Sequence, residues 1–280
     1  MKHIQRYYSK YNFICLILLV GLCAFVPVFA QKADAGPQKN PLQPGWLEAA
    51  FIDVGKGDAA IIRFPDGRSC LIDTGYADTS ETVIRNLKKR GLTSLDLIVI
   101  THDHKDHAGG YPAIVREFPT ARVIQPFDSR DDSHTLRVKP GEVLIAGKGF
   151  ALTALGPSRL FTDENDSSLV LNLAFGTVSF LFAGDILAEG QADLLKRCPN
   201  LKADVLKVPH HGTFKKNSAT AFFTAVKPAY AVITCDSENG DVPDQGVAET
   251  LQGLGTTVLR TDMNGNIVFR SDGTQLIMKP

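Results

Sequence analysis

Residues 97–110 read LIVITHDHKDHAGG: a short apolar run, three histidines and two aspartates within six positions, then two glycines. The whole chain holds only seven histidines, so His102, His104 and His107 are a concentration that a solvated turn does not need. The cluster follows a run with no polar face, as expected of a strand buried on both sides that ends in a loop. In a loop the side chains are freed from sheet alternation. His102 and His104 can turn both imidazoles to one point, and Asp106 and His107 can converge on a second. Neutral imidazole and carboxylate are ligands for zinc and for manganese. Two metals ~3.5–4 Å apart can share an attacking hydroxide and clamp both oxygens of a displacement. The small Ala108-Gly109-Gly110 stretch lets the next helix start close against such a site.

A two-metal site also needs a bridging carboxylate and a distant histidine. FLFAGD (180–185) ends a strand at Asp185, and LKVPHHG (206–212) ends another at His210 and His211. Each lies at the carboxyl end of a buried strand, where loops gather to make sites.

Outward from these points the chain alternates strands and helices. WLEAAFIDVGKGDAAIIRFPDGRSCLIDTG (46–75) reads as strand, glycine-rich turn, strand, Asp-Gly hairpin and strand. TSETVIRNLKKRGL (79–92) reads as a helix capped by Thr79 or Ser80 and stopped at Gly91. A second helix starts at GGYPAIVREF. The second half predicts strands at 150–155, 168–175, 177–183, 203–209, 230–235, 256–260 and 266–270. Helices are predicted near 188–197, 217–226 and 244–253. This interleaving, in two similar halves, predicts one α/β domain over 46–280 with helices packed outside paired sheets.

The ends and the charge bound the setting. Lys2, Arg6 and Lys10 precede FICLILLVGLCAFVPVFA (13–30), which has the grammar of a secretory signal peptide, residues 1–30. A retained membrane anchor is the alternative. Residues 31–45, with three prolines, read as a flexible leader. Cleavage predicts an exported protein, periplasmic or extracellular, with no stable membrane association. It would remove three of the 30 basic residues and none of the 30 acidic ones, leaving a slightly acidic chain. Cys70, Cys198 and Cys235 remain. None has metal-ligand spacing to another, so they read as buried thiols.

THDHKDHAGG, with LIDTG (71–75), FLFAGD and LKVPHHGT (206–213), resembles the metallo-β-lactamase fold. FIDVGKGDAAII (51–62), ENDSSLVLNLAFG (164–176) and LRTDMNGNIVF (259–269) bring the resemblance closer to the hydrolase domain of ComEC-type competence proteins. It covers nearly all of 46–280. It implies an α/β fold of two mixed β-sheets flanked by helices, an αββα sandwich with a site for two divalent metal ions, zinc or manganese, at one edge. A one-metal site is the alternative. By position it implies His102, His104, Asp106 and His107 as metal ligands, Asp185 as the bridge and His210 as the ligand completing the second site. His211 and Lys207 would face a substrate phosphate, with Asp106, Lys207 and His211 as the catalytic set. Asp73 would hold a histidine in its tautomer. Asp53 and Asp58 flank a glycine turn beside the site and either orient ligands or cap the turn.

The chain departs from the family pattern twice. Zinc β-lactamases and their thiolesterase relatives bring a further histidine between the first cluster and the bridging residue. Here that interval holds only His134, in a charged loop and read as a surface residue, and the aligned segment is Asn165-Asp166-Ser167-Ser168. Where the competence domains carry Gly-His-Pro, GDVPD (240–244) has Val242 at the histidine's place. The implied function is metal-dependent hydrolysis of phosphodiester bonds, in DNA or in a lipid or cell-wall polymer. β-Lactam or other amide and ester hydrolysis is the alternative, and a non-catalytic metal-binding module is the third reading. A net charge of zero and the lack of a basic stripe interleaved with aromatics weigh against a strong nuclease.

Overall fold

The computed structural model describes residues 42–125, 135–136, 138–213, 219–238 and 243–279. The first half of the chain forms β1 (Leu47–Phe51), β2 (Ala60–Arg63), β3 (Ser69–Ile72), β4 (Leu97–Val99), β5 (Val123–Ile124) and β6 (Thr135–Leu136). The second half forms β7 (Val143–Gly147), β8 (Phe150–Gly156), β9 (Val170–Phe175), β10 (Val178–Phe182), β11 (Val205–Lys207), β12 (Tyr230–Ile233) and β13 (Thr257–Arg260). β14 (Ile267–Ser271) and β15 (Leu276–Lys279) return to the first sheet, where β14 pairs antiparallel with β1. The strand orders are β15-β14-β1-β2-β3-β4-β5-β6 and β13-β12-β11-β10-β9-β8-β7.

Each sheet joins an antiparallel meander to a parallel run. β1-β2-β3 and β8-β9-β10 are antiparallel, whereas β3-β4-β5 and β10-β11-β12-β13 are parallel. Parallel neighbours need long crossovers, and helices supply them. α1 (Ser80–Lys89) links β3 to β4, and α2 (Lys105–Ala108) with α3 (Tyr111–Glu117) links β4 to β5. α4 (Ala188–Arg197), α5 (Ala219–Val226) and α6 (Gln245–Gly253) serve the second sheet in the same way.

Alternation sorts the apolar side chains into three layers. In β4, Leu97 and Val99 pack between the sheets, while Ile98 packs outward with Ile100 against residues of α1 and α3. This explains the uninterrupted LIVI run: both faces are buried. In β10, Phe180 and Phe182 face inward and Leu181 faces the helical layer of α4, α5 and α6. The architecture is the αββα arrangement of two mixed sheets that the sequence implied.

The differences are local. Thr79 takes the N-cap position of α1, but its hydroxyl donates back to the Tyr76 carbonyl and makes no cap bond. β5, β6, β7 and β15 were not predicted: β5 and β6 are two residues long, and β7 and β15 are partly exposed. The signal peptide, most of the leader, His134 and Val242 lie outside the described residues.

Phe269 of β14 is fully buried against Phe51, Phe180 and Tyr230, so it ties the returning strand to both sheets. Phe269→Ala is expected to cost about 3–5 kcal/mol through lost burial and the cavity left behind. Urea denaturation of the two proteins checks it.

Candidate metal centre

The parallel strands end at one edge, and the site is built from the residues just past those ends. Asp73 follows β3, Thr101 to His107 follow β4, Asp185 follows β10, His210 and His211 follow β11, and Thr234 follows β12. β2 runs antiparallel to β3, so Asp58, just before its start, reaches the same edge. The glycine turn holding Asp58 lies tight on the histidine loop. The Asp58 amide donates to the Asp106 carbonyl at 3.0 Å, and a Cβ on Gly57 would come within 2.8 Å of that oxygen. Gly110 likewise presses on the Thr74 carbonyl, as the small residues after the cluster predicted.

Val99, Val205 and Val232 pack between the sheets. Two residues further along each strand, Thr101, Lys207 and Thr234 keep the inward register and are buried. They line a small cavity between the sheets together with Asp58 and Asp73. This polar floor supports the histidines.

Each buried histidine has its Nδ1 committed to an acceptor. Asp73 Oδ2 lies 2.8 Å from His107 Nδ1, and Asp73 also accepts from the Thr101 amide and hydroxyl at 2.7 and 2.8 Å. The Thr101 hydroxyl oxygen, its proton given to Asp73, lies 3.2 Å from His102 Nδ1. His211 Nδ1 faces the Thr234 carbonyl at 3.0 Å, and the Thr234 hydroxyl in turn donates to Asp58 Oδ1 at 2.5 Å. With Nδ1 committed there, Nε2 is the ring nitrogen that each histidine turns into the site. The Nε2 atoms of His107, His211 and His102 lie 3.0, 3.4 and 3.8 Å from Asp185 Oδ2. Asp106 Oδ2 adds a fourth donor, 3.3 Å from His211 Nε2.

Lone pairs do not converge on a carboxylate without a cation or protons between them. Asp106, His107, Asp185 and His211 each offer one ligand atom, all within 4.8 Å of one another. The Nε2 atoms of His102 and His211 are buried without a hydrogen-bond partner among the described residues. The donor set of two imidazoles and two carboxylates therefore fits a divalent cation.

Electrostatics agree. Burial disfavours protonation of His107, but Asp185, Asp73 and Asp58 outweigh it and hold its pKa well above the usual imidazole range. Burial also opposes protonation of His211, and Asp185 and Asp106 reverse that. Burial penalises the Asp185 carboxylate, yet His107, His211 and Lys207 hold it well below the usual range. His102 differs: burial, reinforced by His107, pushes it down to about 2.

Three placements differ from the sequence reading. His211, expected to face substrate, is fully buried and joins the cluster, whereas His210, expected as the ligand, is half-buried with Nδ1 3.0 Å from the Thr213 carbonyl. Both residues adopt left-handed backbone, φ 48° and 53°, and this kink exchanges the directions of adjacent side chains. Lys207, also expected to face a substrate phosphate, is buried under the cluster. It pairs with Asp58 and lies 3.5 Å from Asp185 Oδ1. Its inward register, two residues after Val205, was the available signal for this. His104 is part-exposed, with Nε2 3.4 Å from Glu164 Oε2. Asp58 and Asp73 do underlie the ligands, whereas Asp53 accepts from the Gly55 amide at 3.2 Å and so caps the glycine turn. Thr101 and Thr234 were not singled out from the sequence; their register, two residues beyond the inward Val99 and Val232, was the available signal.

Similarity to known proteins agrees with this geometry. Residues 52–234 match the Metallo-beta-lactamase superfamily, and the chain belongs to that family. Among its relatives, ComE operon protein 3 of Bacillus subtilis (strain 168) is 31% identical over 256 residues, covering 80% of this chain and 33% of that protein. Competence protein ComA of Neisseria gonorrhoeae is 29% identical over 260 residues, 91% of this chain and 35% of its own. The chain thus spans about a third of the length of these two relatives. The metallo-beta-lactamase fold protein YhfI from Bacillus subtilis superposes with a TM-score of 0.54 at 15% identity, covering 80% of this chain and all of YhfI, and so shares the fold.

Because the neighbouring carboxylates favour the protonated rings of His107 and His211, metal binding is expected to release protons, and affinity is expected to rise with pH. Calorimetric titration with Zn²⁺ in buffers of different ionisation enthalpy measures the release. Metal binding without proton release would contradict this protonation state.

Proposed function

We propose that the protein is an exported metallo-hydrolase that cleaves phosphodiester bonds. The observation that carries the metal-dependent part is the convergence of three Nε2 atoms on Asp185 Oδ2, each ring fixed from its Nδ1 side. Asp106, His107, Asp185 and His211 would hold the cation. When bound, a divalent cation supplies hydroxide at neutral pH and polarises the group under attack. The choice of zinc or manganese, and of one ion or two, belongs to this proposal.

The chain's own residues do the positioning. Asp73 keeps a proton on His107 Nδ1, and the Thr234 carbonyl keeps one on His211 Nδ1, so neither ring can present an N–H to the cation. Lys207 holds Asp58 and takes up charge beside Asp185 Oδ1, leaving Oδ2 turned to the imidazoles. His210 takes the substrate-side role first given to His211. Its Nδ1 proton goes to the Thr213 carbonyl, because the Thr213 hydroxyl donates to the His210 carbonyl. Burial lowers the His210 pKa, so it is neutral at pH 7 with Nε2 free to accept a proton.

The phosphodiester assignment is supported by the resemblance to the hydrolase domain of ComEC-type competence proteins and by a relative named Competence protein ComA. The balanced charge of the chain, 30 basic against 30 acidic residues, favours a local phosphodiester over a long polyanion track. Export is supported by the sequence of residues 1–30. Among the described residues no helix is long and apolar enough to cross a membrane.

The test is a metal-loaded preparation assayed in parallel on bis(p-nitrophenyl) phosphate, DNA and nitrocefin. Phosphodiester turnover is expected, with nitrocefin inert. Asp106→Ala and Asp185→Ala should each lower it by more than about 100-fold with circular dichroism unchanged, since even residues behind metal ligands cost 10–100-fold. Rapid nitrocefin turnover with inert phosphodiesters would overturn the reading in favour of β-lactam hydrolysis.

A further inference from the structure

At the end of the first sheet away from the metal centre, three arginines gather round one carboxylate. β2 starts just after Asp58 and ends at Arg63, so Arg63 stands at the edge opposite the candidate ligands. In the strand register Glu48 of β1 lies across from Arg63 of β2 and from Arg270 of β14. Glu48 Oε1 is 3.1 Å from Arg63 Nη2 and accepts from Arg90 Nε at 3.0 Å. Its Oε2 accepts from Arg270 Nε at 2.8 Å. Glu48 and Arg63 are both buried, 2% and 9% exposed. Even with Arg90 set aside, two guanidiniums share that single carboxylate.

A buried surplus of positive charge is costly unless an anion meets it. Burial penalises the Glu48 carboxylate, yet Arg63, Arg270 and Arg90 hold its pKa below the usual range, so its charge is already committed. Burial, reinforced by repulsion from Arg63 and Arg270, lowers the Arg90 pKa even with Glu48 beside it. Arg63 also keeps an unused donor. Its Nη1 donates to the Arg90 carbonyl at 3.2 Å and its Nη2 faces Glu48, but its Nε is buried without a hydrogen-bond partner among the described residues. Arg63 and Arg90 line a pocket of about 280 Å³, which Trp46, Phe64 and Leu92 wall with apolar surface and the exposed Gln43 borders.

We propose that this pocket binds an organic oxyanion, a phosphate or carboxylate head on a flat apolar body. Guanidinium forks match either head with paired N–H donors. The head supplies the negative charge that Glu48 alone leaves short, and it takes the unused Arg63 Nε–H. Trp46 and Phe64 offer the body broad apolar faces. A bare inorganic ion would meet the charge but leave those walls in water, so the substituted anion binds more tightly. None of the candidate metal ligands lines this pocket, so it binds its anion apart from the hydrolytic centre and independently of the proposed hydrolysis.

Trp46 is the only tryptophan of the chain, so its fluorescence reports on this pocket. The full chain, freed of metal, is titrated with phenyl phosphate, benzoate, inorganic phosphate and phenol. A saturable change is expected with phenyl phosphate or benzoate, the tighter of the two identifying the head. Inorganic phosphate should bind more weakly and phenol should be inert. Arg63→Lys keeps the charge but removes the Nε donor, and should weaken binding by about ten-fold or more, the scale of one charge-assisted hydrogen bond. That change also disturbs the Glu48 pairs, so Gln43→Glu is the second variant. It sets a like charge at the exposed rim, leaves the cluster intact, and should weaken binding by about two- to five-fold. No saturable response to either organic anion would overturn the inference and leave the arginines a structural ion-pair network. Equal affinity for phenol or for inorganic phosphate would overturn it too, since the first needs no charge and the second no apolar wall. Unchanged binding in both variants, or binding only after Zn²⁺ is added, would place the anion elsewhere and refute the site.

Discussion

The carboxylate of Asp73, buried at the end of β3 and 2.8 Å from His107 Nδ1, is the contact on which the rest of the site depends. A bare carboxylate there would be costly, and burial does raise its pKa. It is stabilised by three donors: the His107 ring, the Thr101 amide and the Thr101 hydroxyl. Through Thr101 the same group also sets His102. One buried anion thus decides which face two imidazoles show to the site. Asp73 itself sits in the left-handed region at φ 57°, as do His210 and His211. Such backbone costs roughly 1–2 kcal/mol per residue, and it persists here because hydrogen bonds on both sides over-determine it.

Asp58 plays the matching part for the other sheet. It takes the Thr234 hydroxyl and the Lys207 ammonium, and through them reaches His211 and Asp185. The two networks meet between the sheets, so the site is a seam that both halves of the chain must close. This is why the fold is informative about the chemistry. Each half ends an antiparallel meander in a parallel run, and the carboxyl ends of those runs face one another with their polar residues at the same edge.

Much of this was legible in the sequence because periodicity and punctuation agreed. LIVI ending in THDHKDH, and FLF ending in AGD, announce buried strands that stop in metal-ligand chemistry, and both lie where expected. Asp73 was also readable as the partner of a histidine. The exchange of His210 and His211 was not, since it depends on two consecutive left-handed residues, which no spacing rule anticipates. Lys207, Thr101 and Thr234 were readable in principle. Each stands two residues beyond an inward valine, so alternation alone turns a polar side chain toward the core. A polar residue in that register at a strand end is a sign of a site floor, whereas motif resemblance alone placed Lys207 against substrate.

Nδ1 atoms fixed by Asp73 and the Thr234 carbonyl would leave Nε2 as the donor atom of His107 and His211 toward a cation shared with Asp185. Anomalous diffraction at the metal edge from crystals of the metal-loaded protein tests it most directly. A peak is expected about 2.0–2.2 Å from His107 Nε2, His211 Nε2 and Asp185 Oδ2, the bonding distances of such donors. A peak bonded through Nδ1, or no peak at these residues in an intact metal-soaked crystal, would contradict it.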